Sequence, residues 1–178
     1  MGVLRASIII YSDLELVGYL HGLSVVGYID MLEAAQSGHP YLPLYRSGVR
    51  YQREPPGSEV WQTPRFTWAS KEADCEDLSA GWRVPELWAL GETAARPHVR
   101  RISPYLRHIL VQRADGTIED PSLILGMHKE RHPRTWRAEA ERARAAVLPP
   151  MQTPEEKLPW HLPPLSEYAA RARSVGAA

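Results

Sequence analysis

Ala73-Asp74-Cys75-Glu76-Asp77-Leu78 carries the only cysteine of this 178-residue chain. Asp74 suits an N-cap, so a helix is expected to open at Cys75. Leu78, Trp82, Leu87 and Leu90 supply its apolar side and Gly91 a stop. Pro85 falls inside that helix, where it removes a backbone donor and predicts a kink. Downstream, residues 94–102 and 106–113 read as two strands, and Pro97 limits the first to a sheet edge. Ala114-Asp115-Gly116-Thr117 is a hairpin signal, and a third strand from Thr117 ends at Asp120-Pro121. Helix, strand, strand, turn, strand is an α+β pattern, with a helix packed on a small antiparallel sheet.

Working towards the N-terminus, Leu16, Leu20, Leu23, Gly27 and Met31 recur at helical spacing. Val17, Val26 and Ile29 widen the stripe, which predicts a helix over 14–36 with Asp13 as N-cap. Residues 41–64 are proline-rich and read as an irregular crossing segment, with a short strand at Val49-Arg50-Tyr51. Towards the C-terminus, residues 135–147 are rich in helix formers. Residues 148–178 hold six prolines and sparse apolar groups, which predicts an extended arm. The chain thus divides into one domain over 1–147, with its core at about 70–126, and an arm over 148–178.

Composition narrows the function. Twenty-one basic and twenty-one acidic residues leave no formal charge, so nucleic acid is not an expected partner. Arg96, Arg100, Arg101 and Arg107 fit a solvated strand face. One cysteine forbids an internal disulfide and suits a reducing compartment. The apolar stretch 16–29 is interrupted by His21 and is short for a membrane span, and no signal-type cleavage pattern is evident. The expected location is the cytoplasm, with no membrane partner. His128 and His132 stand four apart but lack a third ligand nearby, so no metal and no other cofactor is expected.

Cys75, His108 in Arg107-His108-Ile109-Leu110-Val111, and Asp120 follow in the order nucleophile, base, base-orienting carboxylate. A thiol attacks as its thiolate, and a helix N-terminus and an imidazole both favour that form. Counting from the turn, Asp120 falls diagonal to His108 unless a bulge intervenes. His98 is the alternative base. Gln62, Trp68 and the backbone N–H of Cys75 are candidate oxyanion donors, with Gln62 preferred. The plainer reading of a lone cysteine is a small buried hydrophobe. For Asp74, Glu76 and Asp77 the simplest role is to complement the helix dipole.

The run Ala-Asp-Cys-Glu-Asp-Leu, a histidine strand, and Asp-Gly-Thr-Ile-Glu-Asp-Pro-Ser resemble the transglutaminase-like, papain-like cysteine-enzyme superfamily. Its bacterial and phage members often carry Gly-Asp-Cys-Glu-Asp and close on Asp-Pro. This chain departs from the pattern at Ala73 and Pro85. The segments 44–51 and Arg53-Glu54-Pro55, with Trp61, are similar to phage proteins of that superfamily. The resemblance implies a papain-like core, with Cys75 as nucleophile, His108 as base and Asp120 as orienter. It implies a peptidase, amidase or cross-linking activity associated with a phage particle. The alternative is a structural or assembly protein of the virion that keeps the fold without the activity. Either reading expects protein partners, virion neighbours or further copies of the chain, engaged through the arm.

Overall fold

The computed structural model describes residues 10, 12–54, 59–103 and 106–127. The expected helix at 135–147, the arm at 148–178, and His128 and His132 lie outside them. The fold is mixed α+β with two small sheets.

Helix α1 spans Asp13–Gln36. Its N-cap is Ser12 rather than the expected Asp13. The Ser12 hydroxyl accepts the N–H of Glu15, whose carboxylate returns to the N–H of Ser12. That reciprocal box satisfies two otherwise free donors, which Asp13 one position later would not. Leu20, Leu23, Gly27 and Met31 are buried, as the periodicity predicts. Val26 and Ile29 face solvent instead of widening the buried stripe.

After a 3-10 turn at Leu44–Arg46, β1 (Arg50–Tyr51) pairs in parallel with β2 (Glu72–Ala73). Helix α2 (Pro64–Ser70) lies between them in sequence, and Lys71 ends it in the left-handed conformation. The chain then enters the central helix at Cys75. Helical residues Cys75 and Glu76 lead into a π-helical segment, Asp77–Arg83, and on into α3, Val84–Ala89. Every residue of the π segment is buried. Leu78 and Trp82 face a cluster with Met31, Leu44, Val49 and Ile124. Ala80 packs with Leu20, Leu23 and Ile109, and Val84 and Leu87 with Ala95 and Val111. Leu90 follows this helix as its C-cap and is half exposed, not part of the apolar side.

The proline expected to kink the helix is absorbed by the wide turns. The N–H of Val84 reaches the carbonyl of Ser79, five residues back. Pro85 offers no N–H to Gly81, and the Gly81 carbonyl oxygen lies instead against Gly27 of α1. On the other flank, the Gln62 carbonyl oxygen would stand 2.5 Å from a Cβ at Gly81.

The second sheet is antiparallel, in the order β3 (Arg96–Ser103), β4 (Leu106–Gln112), β5 (Ile118–Glu119). Pro97 sits on the edge strand, where its missing donor is harmless. The hairpin turn is held by Asp115, whose carboxylate accepts both the N–H and the hydroxyl of Thr117. Gly116 takes the positive φ of 85° that the turn requires. β5 is only two residues long and leaves the edge of β4 open from Ile109 towards Leu106. The start of the central helix fills that gap: the Ser79 hydroxyl donates to the Ile109 carbonyl at 2.9 Å. Helix α4 (Pro121–Ile124) closes the described part, with Asp120 as N-cap and Pro121 at its first position.

Candidate active site

Sheet register brings His108 and Asp120 together. Val111 pairs with Glu119 and Gln112 with Ile118, so Asp120 falls opposite Leu110 and diagonal to His108. His108 Nε2 lies 2.9 Å from Asp120 Oδ2. The other carboxylate oxygen, Oδ1, accepts the N–H of Leu123 at 3.0 Å and caps α4. Asp120 is thereby held from both sides, and Pro121 fixes the backbone just after it. The Asp-Pro-Ser run is also an N-cap followed by an N1 proline, a helix start that the strand-end expectation at Asp120-Pro121 did not include.

Cys75 lies at the open edge of β4, next to this pair. It is half-buried against Leu20, Leu23, Ala80 and Ile109. Ile109, the residue after His108, packs against it, and the Ile109 main-chain N–H favours the thiolate. The thiol itself meets Glu76 Oε2 at 3.4 Å. No hydrogen bond joins Cys75 to His108 among the described residues. Strand alternation puts His108 and Ile109 on opposite faces of β4, and Cys75 packs on the Ile109 side.

The electrostatics differ from expectation. A cysteine on a first helical turn is expected to hold a depressed pKa. Here burial pushes the Cys75 thiol well up, and the Glu76 and Asp74 carboxylates push it further. The three acids beside it are not solvated partners of the helix dipole. Asp74, Glu76 and Asp77 are 7%, 4% and 0% exposed. Burial raises all three, with Asp74 adding to the effect on Glu76 and on Asp77. The N–H groups of Glu76 and Asp77 partly offset this at Asp74, as an N-cap should. Asp77 Oδ1 accepts the backbone N–H of Gln62 at 2.6 Å, tying the crossing segment to the central helix.

Gln62, the candidate oxyanion donor, therefore has its main-chain N–H committed to Asp77 and its carbonyl packed on Gly81. Only its half-buried side-chain amide is left for that role. Trp68 stacks in a group with Tyr41 and Trp82 and lies under the Lys71 ammonium, 3.3 Å from ring centroid to Nζ. His98 pairs across from Leu110, on the same face as His108, and bonds to neither Cys75 nor Asp120.

On the opposite face of β5, Glu119 anchors a buried charge network that the sequence reading missed. Arg83 Nε lies 2.6 Å from Glu119 and its Nη1 3.1 Å from Glu86, while Arg113 reaches Glu119 at 3.0 Å and Glu92 at 2.5 Å. The Tyr45 hydroxyl donates to the same Glu119 carboxylate. Two adjacent residues thus serve two ends: Glu119, the last of β5, locks that strand to the central helix, and Asp120, just after it, holds His108. Only long-range pairing identifies this set, and no local spacing signals it.

Two surface depressions, around Tyr28-Met31-Trp82 and around His39-Arg65-Trp68, are lined by none of Cys75, His108 and Asp120. No helix among the described residues is long and apolar enough to cross a membrane. No family model, curated protein or solved structure matches the chain.

Proposed function

We propose that this chain is a cysteine-dependent acyl-transfer enzyme with a transglutaminase-like, papain-like core. The observation that carries the reading is the 2.9 Å His108–Asp120 pair on the strand whose next residue contacts the Cys75 sulfur. Asp120 occupies Nε2 and leaves Nδ1 of His108 to act as base. Attack requires the Cys75 thiol to leave Glu76 and pass round the open edge of β4 to reach that nitrogen on the other face. The proton passes to Nδ1, and the sulfur forms a bond to the acyl carbonyl carbon. The tetrahedral intermediate collapses, the C–N bond breaks, and His108 returns the proton to the departing amine. Water or a second amine then attacks the thioester with His108 again as base, giving hydrolysis or cross-linking. Gln62 and the Cys75 N–H are the proposed oxyanion donors. The sequence resemblance to phage proteins supports a role in a virion assembled in the host cytoplasm, and in this reading the segment 148–178 contacts neighbouring subunits.

A second reading is favoured by the Cys75–Glu76 contact, because a protonated, half-buried thiol fits a virion structural or assembly protein that retains the fold alone. Acyl trapping separates the two. Incubation with p-nitrophenyl acetate should acetylate Cys75, detected by mass spectrometry, with at least a hundredfold loss of rate in His108→Ala. Acetylation that is absent, or indifferent to His108, leaves the structural reading.

A further inference from the structure

Beside Cys75, one carboxylate oxygen each from Glu59, Asp74 and Glu76 lie within 4.8 Å of one another. Clustered acids alone are common at surfaces. Two of these are not at the surface: Asp74 is 7% and Glu76 4% exposed, and Glu59 forms the exposed rim. Asp74 Oδ1 and Glu76 Oε1 are each fully buried with no hydrogen-bond partner. Neither residue forms an ion pair among the described residues. Asp74 draws on the N–H groups of Glu76 and Asp77, and Glu76 Oε2 on the Cys75 thiol. No cationic side chain among the described residues faces Asp74 Oδ1 and Glu76 Oε1, however, and buried carboxylate charge costs several kcal/mol per ion in protein interiors.

We propose that Glu59, Asp74 and Glu76 form a binding site for a calcium-sized divalent cation. The donor set is oxygen only, which selects hard cations over zinc or copper. The spacing admits an ion of calcium's size: ligand oxygens of one calcium sit about 2.3–2.6 Å from it, so two of them can be nearly 5 Å apart. Magnesium demands a strict octahedron at about 2.0–2.1 Å and gives up its water reluctantly, which a three-carboxylate set of mixed burial suits less well. Glu59 at the rim leaves the remaining coordination positions to water, and the entry path is from solvent. The site adjoins Cys75 but does not depend on any activity of that residue.

Terbium(III), an oxygen-seeking ion of calcium's size, is the probe. Tyr51, which feels the charges of both Asp74 and Glu76, is the aromatic expected to sensitise its luminescence. Full-length chain stripped with EDTA should give a saturable signal that calcium displaces at lower concentration than magnesium. Glu76→Gln should abolish the signal. Glu59→Gln, on the exposed rim and without effect on folding, should weaken apparent affinity at least tenfold. Calcium should also raise the thermal midpoint of the wild type and not of Glu59→Gln. A proton shared between Asp74 and Glu76 in place of a cation predicts no saturable signal and no calcium-dependent midpoint, and that result overturns the proposal. So does a signal unchanged in both variants, which places the ion elsewhere.

Discussion

Gly27 of α1 and Gly81 of the central helix meet backbone to backbone: a Cβ on Gly27 would come under 3.0 Å from the Gly81 carbonyl oxygen. The contact lets the two helices approach where the chain has lost an α-helical hydrogen bond to Pro85. Gly27→Ala and Gly81→Ala should each destabilise the protein by about 1–3 kcal/mol, since backbone must shift on both sides. Gly18→Ala and Gly22→Ala, with open space around them, should stabilise it by about 0.5–1 kcal/mol each. Urea midpoints of the four variants check this, and equal effects at all four positions would contradict it.

Asp120 should separate its two roles by substitution. Asparagine retains an oxygen to cap α4, so Asp120→Asn should fold with near wild-type stability. Asp120→Ala removes the cap and should cost about 1 kcal/mol more. Both variants should lose Cys75 acetylation if His108 needs its orienting partner. Thermal unfolding and acetylation rates, measured on the same samples, test the pair.

Cys75 in the resting protein should be a slow nucleophile. Burial and Glu76 raise its pKa, so the thiolate fraction at neutral pH is below that of a free thiol. In EDTA at neutral pH, iodoacetamide should modify native Cys75 more slowly than the urea-denatured chain. The native rate should still be rising with pH where the denatured rate has levelled off. A native rate above the denatured one would show a depressed thiol instead.

Arg83 bridges two buried carboxylates, so Arg83→Met leaves Glu86 without its cation and Glu119 with Arg113 alone. A loss of roughly 3–5 kcal/mol is expected from breaking such a buried set. Denaturant titration reads it, and a loss under about 1 kcal/mol would mean that the network is dispensable.

Glu92 gives a pH signature. Its hydrogen bonds from Arg113 hold its carboxyl below the ordinary glutamate range in the folded chain. A depressed folded pKa contributes stability above the unfolded value that is lost as pH falls through the folded one. Below about pH 4.5 the wild type should therefore lose more stability than Glu92→Gln, and the two curves should converge at the acid end.

The local signals in the sequence were read well where a turn or a periodicity decides the outcome. Asp115-Gly116 marked the hairpin, and the diagonal placing of Asp120 against His108 followed from counting residues around it. What escaped was decided by partners far along the chain. Asp74, Glu76 and Asp77 look like ordinary first-turn acids until Gln62 and α1 are packed over them. Glu119 looks like a solvated strand residue until Arg83 and Tyr45, 36 and 74 positions away, close on it. Pro85 announced a kink, yet whether a helix bends or widens depends on what lies across from the freed carbonyl, here a glycine.

The π segment also makes the chain's spacing brittle. Each residue turns an α-helix by about 100° and the wider π turns by less, so deleting one residue from Asp77–Arg83 would let ordinary α geometry return with Cys75 and Leu87 nearly in their present register. An inserted residue has no such outlet, because the turns are already wide, and it would carry the sulfur away from its place on the strand edge. Single insertions there should be far less tolerated than single deletions, and paired libraries of one-codon insertions and deletions across 77–83 would expose that asymmetry directly.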